Sequence, residues 1–321
     1  MKRVAAALLV VAIAVAAAAW LVTDSRRHGS DAAAQRATVP RRLAQQTLAN
    51  GPPAGDVIAR QPLDVRLVGA ADPVVIPFKH PPRSGLLFDL DTGRVLWRHQ
   101  PERVLPIASL TKMMTALLVV ENSRPDYRVR VTKQALAYEG SGLGVLPKGK
   151  LIRLETMLNG LLIVSGNDAA IALAQRIGGT VPKFVAMMND KALALGLRCT
   201  RYAAPDGLTD RGNHSCAADL AALARAVLDE PRLARIVRRR SAILPFPIKG
   251  HKLYLYSHNP LIRTGYRGVT GIKTGYTDAA GRCLVASATR NGRRLGVVLL
   301  NSPDTERQAR KLLDAGFRAE R

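Results

Sequence analysis

Ser109-Leu110-Thr111-Lys112 heads an apolar run from Leu110 to Val120 whose three- and four-residue spacing predicts a helix. On such a helix Ser109 and Lys112 stand one turn apart on one face, so a hydroxyl meets an amine. A serine hydroxyl attacks carbonyls poorly until its proton is removed. An amine removes it only when burial or a neighbouring cation holds that amine neutral. Taken alone, the tetrapeptide reads more readily as a serine N-cap with an exposed lysine. Ser165-Gly166-Asn167 falls in a break between two helical patterns, where a short polar turn either caps a helix or faces a cleft. In a catalytic site Ser165 relays a proton between Lys112 and a leaving amine, and Asn167 offers its amide to a substrate backbone. Lys273-Thr274-Gly275 ends a predicted strand. Its glycine permits close approach of another backbone, and an extended peptide adding along the strand would bring a terminal carboxylate to Lys273 and Thr274.

The elements that must hold these residues follow from pattern. Gly85 to Leu90 and Arg94 to Trp97 flank Asp91-Thr92-Gly93 and predict a β-hairpin. Leu110 to Val120, Leu154 to Val164, Asp168 to Ile177, Val181 to Leu195 and Ala217 to Leu228 predict helices. Ser241 to Leu255, with Pro245, Pro247 and Lys249-Gly250, predicts a peripheral hairpin. Strands return at Gly268 to Gly275, Cys283 to Ala288 and Leu295 to Leu300, the last two joined at Asn291-Gly292, and a final helix runs from about Pro303 to Ala315. Two strands early, three late and helices between predict an α/β chain of the α+β type, with a five-stranded, largely antiparallel sheet closed by both ends of the chain.

Composition bounds the setting. The 321 residues are 47% hydrophobic, enough for a sizeable core, and the net charge of +24 favours anionic surroundings. Met1-Lys2-Arg3 precedes an uncharged run from Val4 to Val22 that reads as an export segment, either cleaved near Ala17-Ala18-Ala19 or kept as an anchor. Export makes nucleic acid an improbable partner. Residues 1–23 are therefore expected to be a signal peptide or membrane anchor, 24–77, rich in Ala, Gln, Arg and Pro, a flexible linker, and 78–321 the folded domain. Of three cysteines, Cys199 and Cys216 are nearest in sequence and flank a turn-rich stretch; they either bridge or, with Cys283, are small buried hydrophobes. Two thiols beside His214 match no zinc spacing, and neither a metal nor a cofactor is expected.

S-x-x-K, S-x-N and K-T-G in this order resemble the motif set of penicillin-binding proteins and serine β-lactamases. The surrounding residues, Asp89 to Gly93, Pro106 to Lys112, Ser165 to Ala170 and Gly271 to Gly281, are similar to those of low-molecular-mass serine D-alanyl-D-alanine carboxypeptidases, from about Ser84 to Phe317. The resemblance implies a penicillin-binding-protein-like fold with flanking helices and a helical subdomain. It implies that Ser109 is acylated, Lys112 is the base, Ser165 assists, and Asn167, Lys273, Thr274, Gly275 and Tyr276 line the substrate cleft. The backbone N–H groups of Ser109 and Tyr276 would form the oxyanion hole, and Lys273 would help keep Lys112 neutral. Peptidoglycan stem peptides are the implied substrates and β-lactams the implied covalent inhibitors, at an extracytoplasmic site. Many relatives carry a C-terminal β-domain and anchor, which this sequence is not expected to have. Attachment would then fall to Val4 to Val22. Relatives often hold the substrate carboxylate with an arginine near the last helix, where Arg307 is the candidate.

Three other functions use overlapping features. A D,D-endopeptidase cutting cross-links needs the same residues and a wider cleft. A β-lactamase needs a deacylating glutamate followed by asparagine; Glu230-Pro231-Arg232-Leu233 resembles that element, but Ala234 replaces the asparagine. A non-catalytic wall binder would use the positive charge alone and would need no Ser-Lys pair.

Overall fold

The computed structural model describes residues 63–68, 72–208 and 212–320. The export segment and most of the expected linker lie outside them. Strand β1 (Ser84–Asp89) turns into β2 (Val95–His99) through a tight loop whose amides are gathered by the Asp89 carboxylate, which accepts from Asp91 N, Thr92 N and the Thr92 hydroxyl. Short pairs follow: β3 (Leu105–Pro106) with β6 (His214–Ser215), and β4 (Arg128–Arg130) with β5 (Leu151–Arg153). The expected peripheral hairpin is β7 (Ser241–Pro245) with β8 (Lys252–Tyr256). The chain then closes the main sheet with β9 (Val269–Thr277), β10 (Gly281–Arg290) and β11 (Arg293–Leu300). The sheet order is β2-β1-β11-β10-β9, with every neighbouring pair antiparallel, so both ends of the chain meet at the β1–β11 pair.

Both faces of this sheet are covered, which is why its central strands read as nearly unbroken apolar runs. Leu86, Phe88, Val285, Val298 and Leu300 point into the larger core, shared with the helices Lys112–Glu121, Leu154–Ile163, Asn167–Gly178 and Ala217–Asp229. Leu87, Leu284, Ala286, Val297 and Leu299 point the other way, against Leu312, Leu313 and Phe317 of the helix Thr305–Ala319. Lys112 through Val120 are all buried, so the Lys112–Glu121 helix runs through the interior with no polar face. It enters through a 3-10 turn, Ala108–Thr111, where an α-helix was expected from Leu110.

One other expectation changes. Chain upstream of residue 78 belongs to the folded unit: Val74 is buried, its amide donates to the Leu96 carbonyl, Asp72 pairs with Arg98 at 2.5 Å, and Leu63, Val65 and Leu67 pack on the core. Sparse apolar residues without periodicity concealed this strap, because it packs over an existing surface and forms no element of its own. The helices Lys133–Leu136, Pro231–Val237 and Pro260–Arg263 are too short for periodicity to reveal. Cys199 and Cys216 form a disulfide with a Cα–Cα distance of 5.6 Å, while Cys283 is buried and free.

Candidate active site

The 3-10 turn presents Ser109 at the edge of the core, next to the buried Lys112. Lys112 Nζ lies 2.8 Å from Ser109 Oγ, 2.6 Å from Asn167 Oδ1 and 2.7 Å from the Asp206 carbonyl oxygen. The amide of Asn167 is oriented by its own Nδ2, which donates to the Glu139 carbonyl at 2.6 Å, so Oδ1 must face the lysine. Burial pushes Lys112 down to about 7, against the opposing pull of the Asp206 and Asp168 carboxylates. The neutral amine has two protons and one lone pair. Asn167 Oδ1 and the Asp206 carbonyl can only accept, so they consume both protons, and the lone pair is left for the one partner that can donate, the Ser109 hydroxyl. That is the geometry a serine needs to lose its proton.

Ser165 sits in the break between the helices Leu154–Ile163 and Asn167–Gly178 with φ 64, a left-handed conformation uncommon for a residue with a side chain. Its Oγ accepts from Lys273 Nζ at 2.9 Å, and Lys273 also donates to the Thr274 carbonyl at 2.8 Å. In this structure Ser165 is thus the partner of Lys273. Lys273 is fully buried, and burial first, then the charge of Lys112, holds it well below the ordinary lysine range. Two ammonium groups in so dry a site oppose one another, and the second of these effects falls on Lys273.

Gly275 supplies the close approach expected of it: a Cβ there would stand 3.0 Å from the Ile107 carbonyl oxygen and 3.2 Å from Ser109 N. Strand β9, at the edge of the sheet, therefore runs directly beside the nucleophile's turn. Register sets the faces. Lys273 is opposite Val285, on the side of the larger core, whereas Thr274 is opposite Leu284 and Tyr276 opposite Arg282, on the side of the Thr305–Ala319 helix. The Tyr276 ring is exposed, and its hydroxyl donates to Asp278 at 3.0 Å.

Two residues that hold the site were missed. Asp206 contributes a backbone carbonyl, for which no side-chain pattern exists; the only local signal is the turn tripeptide Pro205-Asp206-Gly207. Gly207, at φ +79, packs so closely that a Cβ would meet the Ala108 carbonyl oxygen at 2.0 Å, and the Pro205 carbonyl accepts from the Thr115 hydroxyl. The disulfide closes the base of this loop. Asp168, within the quoted Ser165 to Ala170 stretch, accepts from the amides of Leu143 and Gly144 and so ties their loop to the Asn167–Gly178 helix.

The remaining candidates fall elsewhere. Arg307 stands in the first turn of the Thr305–Ala319 helix, where its amide donates to the cap Asp304 and its side chain lines a groove with Glu306, Arg310 and Lys311. Glu230 caps the Pro231–Val237 helix by accepting from Arg232 N, which accounts for the residue without a deacylating role. Cys199, Cys216 and Asp219 cluster closely, but the two sulfurs are bonded to each other and offer no thiolate to a metal.

A peptidase family described as D-alanyl-D-alanine carboxypeptidase matches residues 72–304. The chain is 37% identical to the D-alanyl-D-alanine carboxypeptidase DacF of Bacillus subtilis over 74% of its length, spanning 62% of that relative. It is 36% identical to DacB2 of Mycobacterium tuberculosis over 74% of its length, spanning 82% of that protein. A Pseudomonas aeruginosa protein named D-alanyl-D-alanine endopeptidase is 36% identical over 68% of this chain and 71% of its own length. Among solved structures, a D-alanyl-D-alanine carboxypeptidase of Mycobacterium tuberculosis superposes with a TM-score of 0.70 at 33% identity, covering 76% of this chain and 94% of that one. A single-residue mutant of the Streptomyces K15 DD-transpeptidase superposes at 0.71 with 28% identity, covering 75% and 100%. The fold is that of the penicillin-binding DD-peptidases, as the motif resemblance implied.

Proposed function

The chain belongs to the D-alanyl-D-alanine carboxypeptidase family, and on that premise we propose that it removes the terminal D-alanine from peptidoglycan stem peptides through an acyl-enzyme on Ser109. The observation that carries the reading is the Lys112 amine, which has two carbonyl acceptors and the Ser109 hydroxyl at 2.8 Å. Ser109 Oγ attacks the carbonyl of the penultimate D-alanine while its proton passes to Lys112 Nζ. The N–H groups of Ser109 and Tyr276 stabilise the oxyanion. When the C–N bond breaks, the departing amine takes the proton that Lys112 had accepted, with Ser165 as the hydroxyl on its path. Water then attacks the ester while Lys112 accepts its proton, and as the acyl bond breaks Lys112 returns that proton to Ser109 Oγ.

Lys273 and Thr274 hold the carboxylate of the leaving residue. Burial keeps Lys273 from holding a proton well, and an arriving carboxylate reverses that by supplying a counter-charge. A β-lactam acylates Ser109 in the same way, but its leaving group stays tethered. The wall-side location of such a substrate places the domain outside the cytoplasmic membrane, with residues 1–23 as export signal or anchor and the residues after them as tether. The endopeptidase name of one relative supports a second reading, cleavage of peptide cross-links by the same residues.

Mass spectrometry after benzylpenicillin treatment tests the assignment. One adduct on Ser109, abolished in Lys112→Ala, is expected; an adduct on Ser165, or normal acylation of Lys112→Ala, contradicts it. Free D-alanine from a pentapeptide, scored against monomer release from a cross-linked muropeptide, separates the two readings.

A further inference from the structure

The proposed reaction sets the direction in which a substrate lies. With the leaving carboxylate at Lys273 and Thr274 and the acyl carbonyl at the Tyr276 amide, the rest of the stem peptide continues past Tyr276 toward Asp278 and the turn into β10. Beyond the Tyr276 ring, on the face it shares with Arg282, lies a groove of about 430 Å³ lined by His80, Arg83, Tyr276, Arg282 and Asn301, with buried Ser302 beside them. Its walls are tied together. The His80 carbonyl accepts from Gln308 Nε2 at 2.7 Å, the Ser302 hydroxyl donates to Gln308 Oε1 at 2.8 Å, and the Ser302 amide donates to the Arg282 carbonyl at 2.9 Å. Arg83 N donates to the Asn301 carbonyl.

Arg83, Arg282 and His80 thus line one groove, in which Arg282 Nη1 also donates to the Pro303 carbonyl at 3.4 Å. Among the described residues neither Arg83 nor Arg282 takes part in an ion pair, and the nearby Asp278 carboxylate accepts from the Tyr276 hydroxyl. We propose that this groove is a subsite for a carboxylate carried by the stem peptide upstream of its two D-alanines, an inference that rests on the carboxypeptidase reading. Strands lie about 4.8 Å apart, so a peptide added along β9 has its backbone roughly 10 Å from that of β10. A long side chain ending in a carboxylate, as in diaminopimelate, spans that gap to meet Arg282, whereas a short one does not. The α-carboxylate of a γ-linked glutamate one residue further upstream offers the same chemistry.

Release of free D-alanine by the full chain from three pentapeptides tests the proposal: one with meso-diaminopimelate in third position, one with its side-chain carboxamide, and one with the glutamate α-carboxamide. The acid should be favoured over the side-chain amide by roughly three- to thirtyfold in kcat/KM, mainly through KM, as a partly exposed charge-assisted contact allows. The ratio should fall toward one in the Arg83→Gln/Arg282→Gln double variant; being internal to each protein, it is unaffected by any general loss of activity. For the wild type it should also shrink at high salt. A preference lost only with the glutamate amide supports the subsite and assigns its source. Equal use of all three peptides by the wild type, or a ratio unchanged in the double variant, overturns the subsite alone. Absence of both D-alanine release and a penicilloyl adduct overturns the reading beneath it.

Discussion

Lowering the pH from 8 to 6 should take the acylating base out of action, because only the neutral form of Lys112 can accept the Ser109 proton. Burial pushes this lysine down to about 7, with Asp206 and Asp168 pulling the other way. The neutral fraction then falls from about nine-tenths at pH 8 to just under about one-tenth at pH 6, so second-order acylation by benzylpenicillin should drop roughly tenfold. Intact mass at timed quenches gives the rate, and the free enzyme's titration governs it. A rate that is flat between pH 6 and 8 would refute the account of Lys112 as a base made available by burial.

The same geometry gives a directional control. Asn167→Asp puts a carboxylate where Oδ1 now lies, 2.6 Å from Lys112 Nζ. A charge partner at that distance in a dry site holds the ammonium, so the acid limb should move to higher pH. Acylation at pH 7 should fall by on the order of tenfold or more and recover as the pH rises. A loss equal at every pH would mean that Asn167 acts through shape or substrate contact and not through the proton on Lys112.

Lys273→Ala should cost a substrate with a free C-terminal carboxylate roughly ten- to a hundredfold more in acylation efficiency than its neutral amide analogue; equal losses would remove carboxylate binding from its role. Lys112 also leaves a mark on stability. Its pKa is lower folded than unfolded, so its drag is full below about 7 and fades as the pH rises toward 10.5. Urea unfolding should therefore show the wild type gaining on Lys112→Met between pH 7 and 9, by at most about 1.4 kcal/mol per unit, and a constant difference would contradict the shift. The Cys199→Ser/Cys216→Ser pair opens a loop closed across 17 residues and should lose about 3 kcal/mol in urea. Because that loop carries the Asp206 carbonyl, its amides should also lose hydrogen-exchange protection ahead of those in the sheet, and uniform loss would count against a local role.

How much of this site could be seen in advance depends on which atoms do the work. Ser109, Lys112, Ser165, Asn167 and Lys273 act through side chains, so their types and spacing pointed to a cleft, and the structure brings all five into two hydrogen-bonded groups. The sheet was equally legible, since its short apolar runs between turn residues and the Asn291-Gly292 turn are local signals, and the observed φ values of 50 and 77 suit a two-residue hairpin. The Asp206 carbonyl was invisible because every residue has one; only a fold that returns the chain 94 residues later decides which carbonyl meets Lys112. The pairing of Ser165 with Lys273 was hidden for the same reason, as sequence shows which groups share a cleft but not which of two amines a hydroxyl reaches. The cause of the Lys112 shift also lay beyond composition. Burial and repulsion from Lys273 were both expected to contribute, whereas burial is the largest cause, and burial belongs to the whole packed helix from Lys112 to Val120 and not to any neighbour in the motif. A lysine in that interior is usable only because two carbonyls satisfy its protons and a serine faces its lone pair. The residues that make the base basic are thus partly backbone, and they are conferred by topology.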